Sequence, residues 1–228
     1  MTSAIHRTDA ETKNHYVAKM GEDLGRVFYA LWQEVAWLHN EWDEYLQLFG
    51  TKPSRIAVMN NAAPRFFRMI QDELLDMTVL RIARLTDPTR STGKPNLTSQ
   101  QLPSLIEDQS FSNQVLDLVK AAVTAAEFCR ARRHRRIAHN ALDLALGVQK
   151  EPLPNLTREN IAAAIASLAK VLNAVSFHYL KSTTEFDIVS NPGGARALLR
   201  IVEDGLARKS ERMAALERRA LPNDNVHL

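Results

Sequence analysis

Residues 130–139 read Arg-Ala-Arg-Arg-His-Arg-Arg-Ile-Ala-His: five arginines in seven positions, a short apolar step, then His139. An arginine presents a planar fork of N–H donors and stays charged at any working pH, which suits it to gripping a phosphate. A histidine takes and gives protons near neutrality. On one helix these residue types suffice to cleave RNA without a metal. The chain as a whole is nearly balanced, with 29 Lys+Arg against 26 Asp+Glu, so the cluster is a local feature and not part of a basic background.

On a straight helix each residue turns ~100°, so Arg135 and Arg132, four and seven before His139, project near its face. Arg136 is a moderate neighbour, and Arg133 points ~120° away. A site joining Arg133 to His139 needs a bend, a long reach, or a second copy of the helix across a two-fold axis. The remaining candidates read as structure. His134 and His139 are five apart, not the four that align two metal ligands on a helix, and Cys129 brings no second thiol. Cys129 falls in a small-residue stripe and reads as packing. Asp72, Glu73 and Asp76 crowd one segment as solvated acids, and Asp87 before Pro88 reads as a helix-end residue. His39 lies on an apolar stripe and reads as interior, and Trp32, Trp37 and Trp42 as core or interface.

The elements that must position the cluster follow from periodicity. Over 13–49, Phe28, Val35, Trp42 and Phe49 recur every seven residues, with Leu31, Leu38 and Tyr45 between them, predicting one long helix with one buried stripe. A second helical region covers 53–85, where Pro64 either starts a new helix or kinks one, and Phe67, Ile70, Leu74, Met77 and Ile82 keep helical spacing. Residues 88–97 read as a loop, and Thr98 to Gln101 as a capping box opening a short helix. A third long helix is expected over 111–146, with Leu118, Ala122, Ala125 and Cys129 inward. The same stripe continues into Arg132, Arg136 and His139, so this helix is expected to leave the packed interior and line a groove. Thr157 caps a fourth helix carrying Ile161, Ile165, Leu168, Leu172, Val175 and Tyr179. A last helix over 195–220 carries Leu199, Val202, Leu206, Met213 and Leu216, interrupted by Lys209.

No convincing strand appears. The expected architecture is all-α, an antiparallel helical bundle with an additional C-terminal helix. It divides into a flexible tail over 1–12, the bundle over 13–183, a loop over 184–194, the helix over 195–220 and a tail over 221–228. With 228 residues, 45% of them hydrophobic, the chain can bury a sizeable core. One cysteine excludes an internal disulfide and fits a reducing compartment. The polar N-terminus lacks a signal core and no run approaches the ~20 apolar residues of a membrane span. A cytoplasmic protein with no membrane association is expected.

Arg133-His134-Arg135-Arg136-Ile137-Ala138-His139 resembles the motif of HEPN (higher eukaryotes and prokaryotes nucleotide-binding) domains: an arginine, a polar residue, a short spacer and a histidine. These are small helical bundles, many of which dimerise and act as metal-independent ribonucleases in toxin–antitoxin and phage-defence systems. The motif admits four to six intervening residues. Arg133 fits with five and Arg132 with six; Arg133 is preferred because a polar residue follows it. Leu31-Trp32-Gln33-Glu34, Leu38-His39-Asn40-Glu41-Trp42, Tyr45, Leu48-Phe49-Gly50, Ala63-Pro64-Arg65-Phe66-Phe67, Arg84-Leu85-Thr86-Asp87-Pro88 and Asn96-Leu97-Thr98 are similar to the AbiU-type abortive-infection branch, over roughly residues 25–180. Position 134 is His where this branch usually has Asn, and the nearest acid after His139 is Asp143.

The resemblance implies a bundle of HEPN type in which the RNA 2′-hydroxyl attacks the adjacent phosphodiester. His139 would be the general base or acid and Arg133 would hold the phosphate. Arg132 and His134 would support them, and Arg130, Arg135 and Arg136 would add affinity for the RNA backbone. It implies no metal and no cofactor. The implied partners are RNA (tRNA among the candidates), a second copy completing a composite site, and an antitoxin or nucleotidyltransferase. Two other classes stay open: a non-catalytic RNA- or nucleotide-binding module, and an adaptor whose arginines meet an acidic protein.

Overall fold

The computed structural model describes residues 8–50, 52–91, 93–138, 142–148, 153–188 and 192–220. The chain falls into two compact units, Met1–Glu41 with Leu75–Val189, and Trp42–Leu74 with Ser190–Leu228.

In the first unit, α1 (Asp9–Met20) begins inside the stretch expected to be a tail. Thr8 and Glu11 form a reciprocal capping box that satisfies two backbone donors, so the helix starts four residues earlier than its apolar pattern. The single helix expected over 13–49 is in fact two. Gly21, at φ 86°, ends α1, and α2 (Glu22–Phe49) follows. A Cβ on Gly25 would lie 2.6 Å from the Val17 Cα, so only glycine lets α2 pass the end of α1 this closely. Asp9 ties the two helices, accepting from the Tyr29 hydroxyl and from Gln33 Nε2. The α2 stripe is as predicted: Phe28, Leu31, Val35 and Leu38 are buried in this unit.

After Leu75, α4 (Pro64–Leu85) continues the same unit, burying Val79, Ile82 and Ala83. Met77, expected inward, is 46% exposed, and its neighbours Thr78 and Val79 are buried instead. Arg81 reaches from α4 to the Glu34 and Glu41 carboxylates of α2, the latter through two donors at 2.9 Å. The loop after α4 holds a short antiparallel hairpin, β1 (Arg90–Ser91) with β2 (Lys94–Pro95), turned at Gly93. The helix expected from Thr98 is reduced to two 3-10 turns, Ser99–Gln101 and Pro103–Leu105. The expected capping box is incomplete because the Gln101 side chain goes to the Thr89 and Asn96 carbonyls.

The core of this unit is the packing of α5 (Gln109–Ala125) on α8 (Arg158–Leu180). Asp108 caps α5, accepting from the amides of Ser110 and Phe111; Thr157 caps α8 as expected, accepting from Asn160 N at 3.1 Å. The buried face of α5 is Val115, Val119 and Ala122, running on to Ala126 and Cys129; Leu118 and Ala125, expected inward, are only half-buried. On α8, Ile161, Ile165, Leu168, Leu172 and Val175 are buried as expected. By length and composition α8 could cross a membrane, which the sequence reading excluded for every run. Half of its most apolar stretch is buried in the unit, as befits a core helix.

In the second unit, α3 (Pro53–Ala62) ends before Pro64, which starts α4 rather than kinking it. Trp42, Tyr45 and Phe49 of α2 are buried here, and α3 packs on α9 (Ala195–Ala220). The Glu44 carboxylate accepts from the first amide of α9, at the positive end of its dipole, and Gln47 accepts from Arg196 and Arg55. Leu199 is buried, whereas Met213 and Leu216 are 51% and 52% exposed, so only the first turns of α9 join the packing. Residues 1–7 and 221–228 of the expected tails lie outside the described residues.

Candidate functional site

The last carbonyls of a helix have no partner within it and must find donors elsewhere. At the end of α4 those donors come from the segment after the hairpin. Leu85 O accepts from Ser99 Oγ at 2.9 Å, Thr86 O from Gln100 Nε2 at 2.9 Å, and Asp87 O from Thr98 Oγ1 at 2.7 Å and Gln100 Nε2 at 3.0 Å. The Thr98 hydroxyl also lies 3.1 Å from Leu85 O, but it has one proton and the nearer Asp87 carbonyl claims it. Thr98 and Ser99 are fully buried, so this clasp fixes the turn that carries Asp87.

The arginines arrive on a helix that is not straight. At Ala126 (φ −97°, ψ 6°) the run expected over 111–146 breaks, and α6 (Glu127–Arg132) continues after it. From Arg133 to Ala138 the chain opens into a wider π-helical turn, and α7 (Leu142–Ala145) follows. Single π turns of this kind gather at functional sites. Angular positions counted at ~100° per residue therefore fail from Arg133 onward. The regular α-helical spacing from which Arg133 was placed ~120° from His139 stops at Arg133 itself. His139, Asn140 and Ala141 lie outside the described residues.

Each arginine of the segment faces an oxygen partner, Arg130, Arg133 and Arg135 through hydrogen bonds and Arg132 and Arg136 through ion pairs. Arg130 spans the break, giving Nη2 to the Val123 carbonyl at 2.9 Å and Nη1 to the Thr86 hydroxyl at 3.3 Å. Arg132 and Arg136 share Asp76 of α4, their Nε atoms 3.5 and 3.7 Å from its two carboxylate oxygens. Arg135 gives Nη2 to Asp143 of α7 at 2.7 Å. Arg133 gives Nη1 to Asp87. Exposure separates them: the Arg132 side chain is 14% exposed, Arg133 29% and Arg136 45%. His134 is exposed.

The structure thus brings Arg132 and Arg136 onto the second half of α4, and Arg130 and Arg133 onto the turn that follows it, and in doing so corrects two sequence readings. Asp76 is not a solvated acid but the shared counter-ion of two arginines. Asp87 is not merely a helix-end residue but the partner of Arg133. Neither pairing has a signal within one helix, because each joins residues more than forty positions apart. Two polar atoms here, Asp87 Oδ1 and Arg132 Nε, are buried without a hydrogen-bond partner among the described residues.

Cys129 is buried beneath the cluster, and burial pushes its thiol up to about 12 despite the pull of Arg130 and Arg132, so it stays protonated and unreactive. His39, read as interior, stacks on Phe186 with centroids 5.4 Å apart. Trp42 is buried as expected, whereas Trp37 is 56% exposed and donates to Glu41. Beside the Ala126 break, Ala125, Phe128 and Ala131 face Pro154, Asn160 and Ala163 of the α8 entry across a mainly apolar groove of about 620 Å³. No three His, Cys, Asp or Glu side chains converge as a metal-binding set among the described residues.

Compared with known proteins, residues 21–198 match the family model described as AbiU2, in the HEPN group. No curated protein and no solved structure matches the chain.

Proposed function

The chain belongs to the AbiU2 family of HEPN proteins, and on that footing we propose that it is a metal-independent RNA endonuclease acting in phage defence or as a toxin. The observation that carries the reading is the placement of Arg133. The motif arginine sits at the start of a π turn, partly exposed, with one terminal nitrogen held by Asp87. A guanidinium has five N–H donors, so those not used by Asp87 remain for a phosphate.

In the proposed reaction the RNA 2′-oxygen attacks the adjacent phosphorus while His139 takes its proton. The bond from phosphorus to the 5′-oxygen breaks, and that oxygen takes a proton from solvent water as it leaves, the proton on His139 returning to solvent. A 2′,3′-cyclic phosphate and a 5′-hydroxyl result. Arg133 binds the charge that grows on the non-bridging oxygens. Arg132 and His134 stand beside this step, and Arg135 and Arg136, the latter nearly half exposed, add attraction for the RNA backbone. The groove beside Phe128 offers an aromatic ring to a neighbouring base. The proposal extends to a cytoplasmic homodimer in which one chain's arginine meets the other's histidine. It also includes restraint by an antitoxin or nucleotidyltransferase partner.

The internal pairing of all five arginines favours a second reading, a non-catalytic RNA- or nucleotide-binding module whose cluster is largely structural. Cleavage of end-labelled tRNA and single-stranded RNA in EDTA separates the two. Wild type should leave cyclic-phosphate ends, and His139→Ala and Arg133→Ala should each be slower by about 100-fold or more. Tight, salt-sensitive binding without cleavage would instead establish the binding module. Undiminished cleavage by His139→Ala would place the activity elsewhere.

A further inference from the structure

Asp87 stands where a carboxylate is least welcome. It lies two residues past the end of α4, where the helix dipole is negative. Its own carbonyl is already held by Thr98 and Gln100. Its side chain is 13% exposed, and Oδ1 is buried with no hydrogen-bond partner among the described residues. A helix end seeking stability would place a lysine, a glycine or an asparagine here. Among the described residues the cation that pairs with Asp87 is the Arg133 guanidinium, reached across 46 residues of sequence. The Asp87 backbone is held by the buried Thr98 hydroxyl and by the Gln100 amide, and Arg133 opens the π turn opposite it.

We propose that Asp87 is a positioning residue for the reaction assigned above: its carboxylate fixes the Arg133 guanidinium through Nη1 and so aims the remaining donors at the scissile phosphate. The assignment rests on the ribonuclease reading, since without cleavage there is no phosphate for Arg133 to meet. The physical logic is preorganisation. A long flexible side chain contributes most to a transition state when its geometry is set before the charge develops, and a fixed carboxylate sets it. Asp87 touches neither the substrate nor the reacting atoms; it acts through Arg133. A carboxylate at the negative end of a helix adds nothing to that helix's own stability.

Stability and rate therefore part company in the test. Asp87→Asn keeps the shape and removes the charge from the wrong end of α4. Its melting temperature should stay level or rise, while kcat falls about ten-fold or more with KM little changed. Asp87→Glu, which restores the charge, should recover part of kcat. Asp87→Asn with Arg133→Ala should cleave no more slowly than Arg133→Ala alone, because the two act as one unit. Wild-type kcat in Asp87→Asn beside a nearly silent Arg133→Ala would overturn the positioning role and leave the ribonuclease standing. So would losses that multiply in the double variant, or a kcat loss matched by a large fall in melting temperature and left unrecovered by Asp87→Glu. A wild-type protein that does not cleave would overturn the ribonuclease reading and this assignment together.

Discussion

Arg133 and His39 mark the limits of what residue types alone disclose. The arginine could be singled out as a candidate phosphate ligand because five guanidinium groups in seven positions are a local fact of the sequence. Its partner was not, because Asp87 and Asp76 meet their arginines only after α4 and α6 are packed. His39 was legible as interior because it lies on the α2 stripe. Its ring stacks on Phe186, and Nε2 is buried without a partner among the described residues. Burial lowers its pKa below the ordinary value near 6.5, while the charge of Asp187 pulls the other way. The fold thus prefers the neutral ring. Its contribution to stability is complete above pH ~6.5 and is lost as pH falls through the lower folded value, because the unfolded chain then binds the proton more readily. Thermal melts between pH 7.5 and 5 should show this. His39→Gln should flatten the acid limb of the curve relative to wild type, and an unchanged limb would remove His39 from the account.

Helices announced themselves by their apolar stripes, and their breaks were heard only where glycine or proline spoke. The α2 and α8 patterns were readable because buried positions recur at helical spacing, and α9 was readable from apolar spacing although only its first turns are buried. The break at Ala126 was not, since alanine is the best helix former and no local residue objects to continuing. There Arg130, a residue that looks like surface charge, holds the Val123 carbonyl across the break. The clasp on α4 was half legible: Thr98 was seen as a cap, but for the helix it begins rather than for the one it ends. Thr98→Val removes the hydroxyl that holds the Asp87 carbonyl and should cost about 1–3 kcal/mol in urea unfolding. A cost near zero would mean that the Gln100 amide suffices alone. The π turn also bears on motif spacing. It holds one residue more per turn than an α-helix, so a chain can gain or lose a residue there without losing helical continuity. That is a physical means by which an arginine–histidine spacing of four to six residues can be tolerated.

Across the whole chain, charge balance conceals a division of labour among the arginines. Arg130 is committed to internal bonds, while Arg136 is nearly half exposed beside a distant counter-ion. Under the ribonuclease proposal, Arg136→Ala should lower the salt dependence of single-stranded RNA binding by about 0.7 in log–log slope. Arg130→Ala should leave that slope alone and lower the melting temperature instead. Equal slopes for both variants would mean that the exposed arginine meets no phosphate. The family was legible because its motifs are spread over most of the matched span, 21–198. The two-unit division was not, because each unit is assembled from two separate stretches and periodicity reports only on neighbours. The same division has a practical consequence for anyone seeking a minimal fragment. Residues of α2 and of α4 serve both units, so every cut that trims the gene from either end removes part of a unit and leaves its complement behind. Deleting 195–220 as a dispensable appendage would strip α3 of the helix it packs on, and the surviving piece would be an incomplete fold rather than a smaller one.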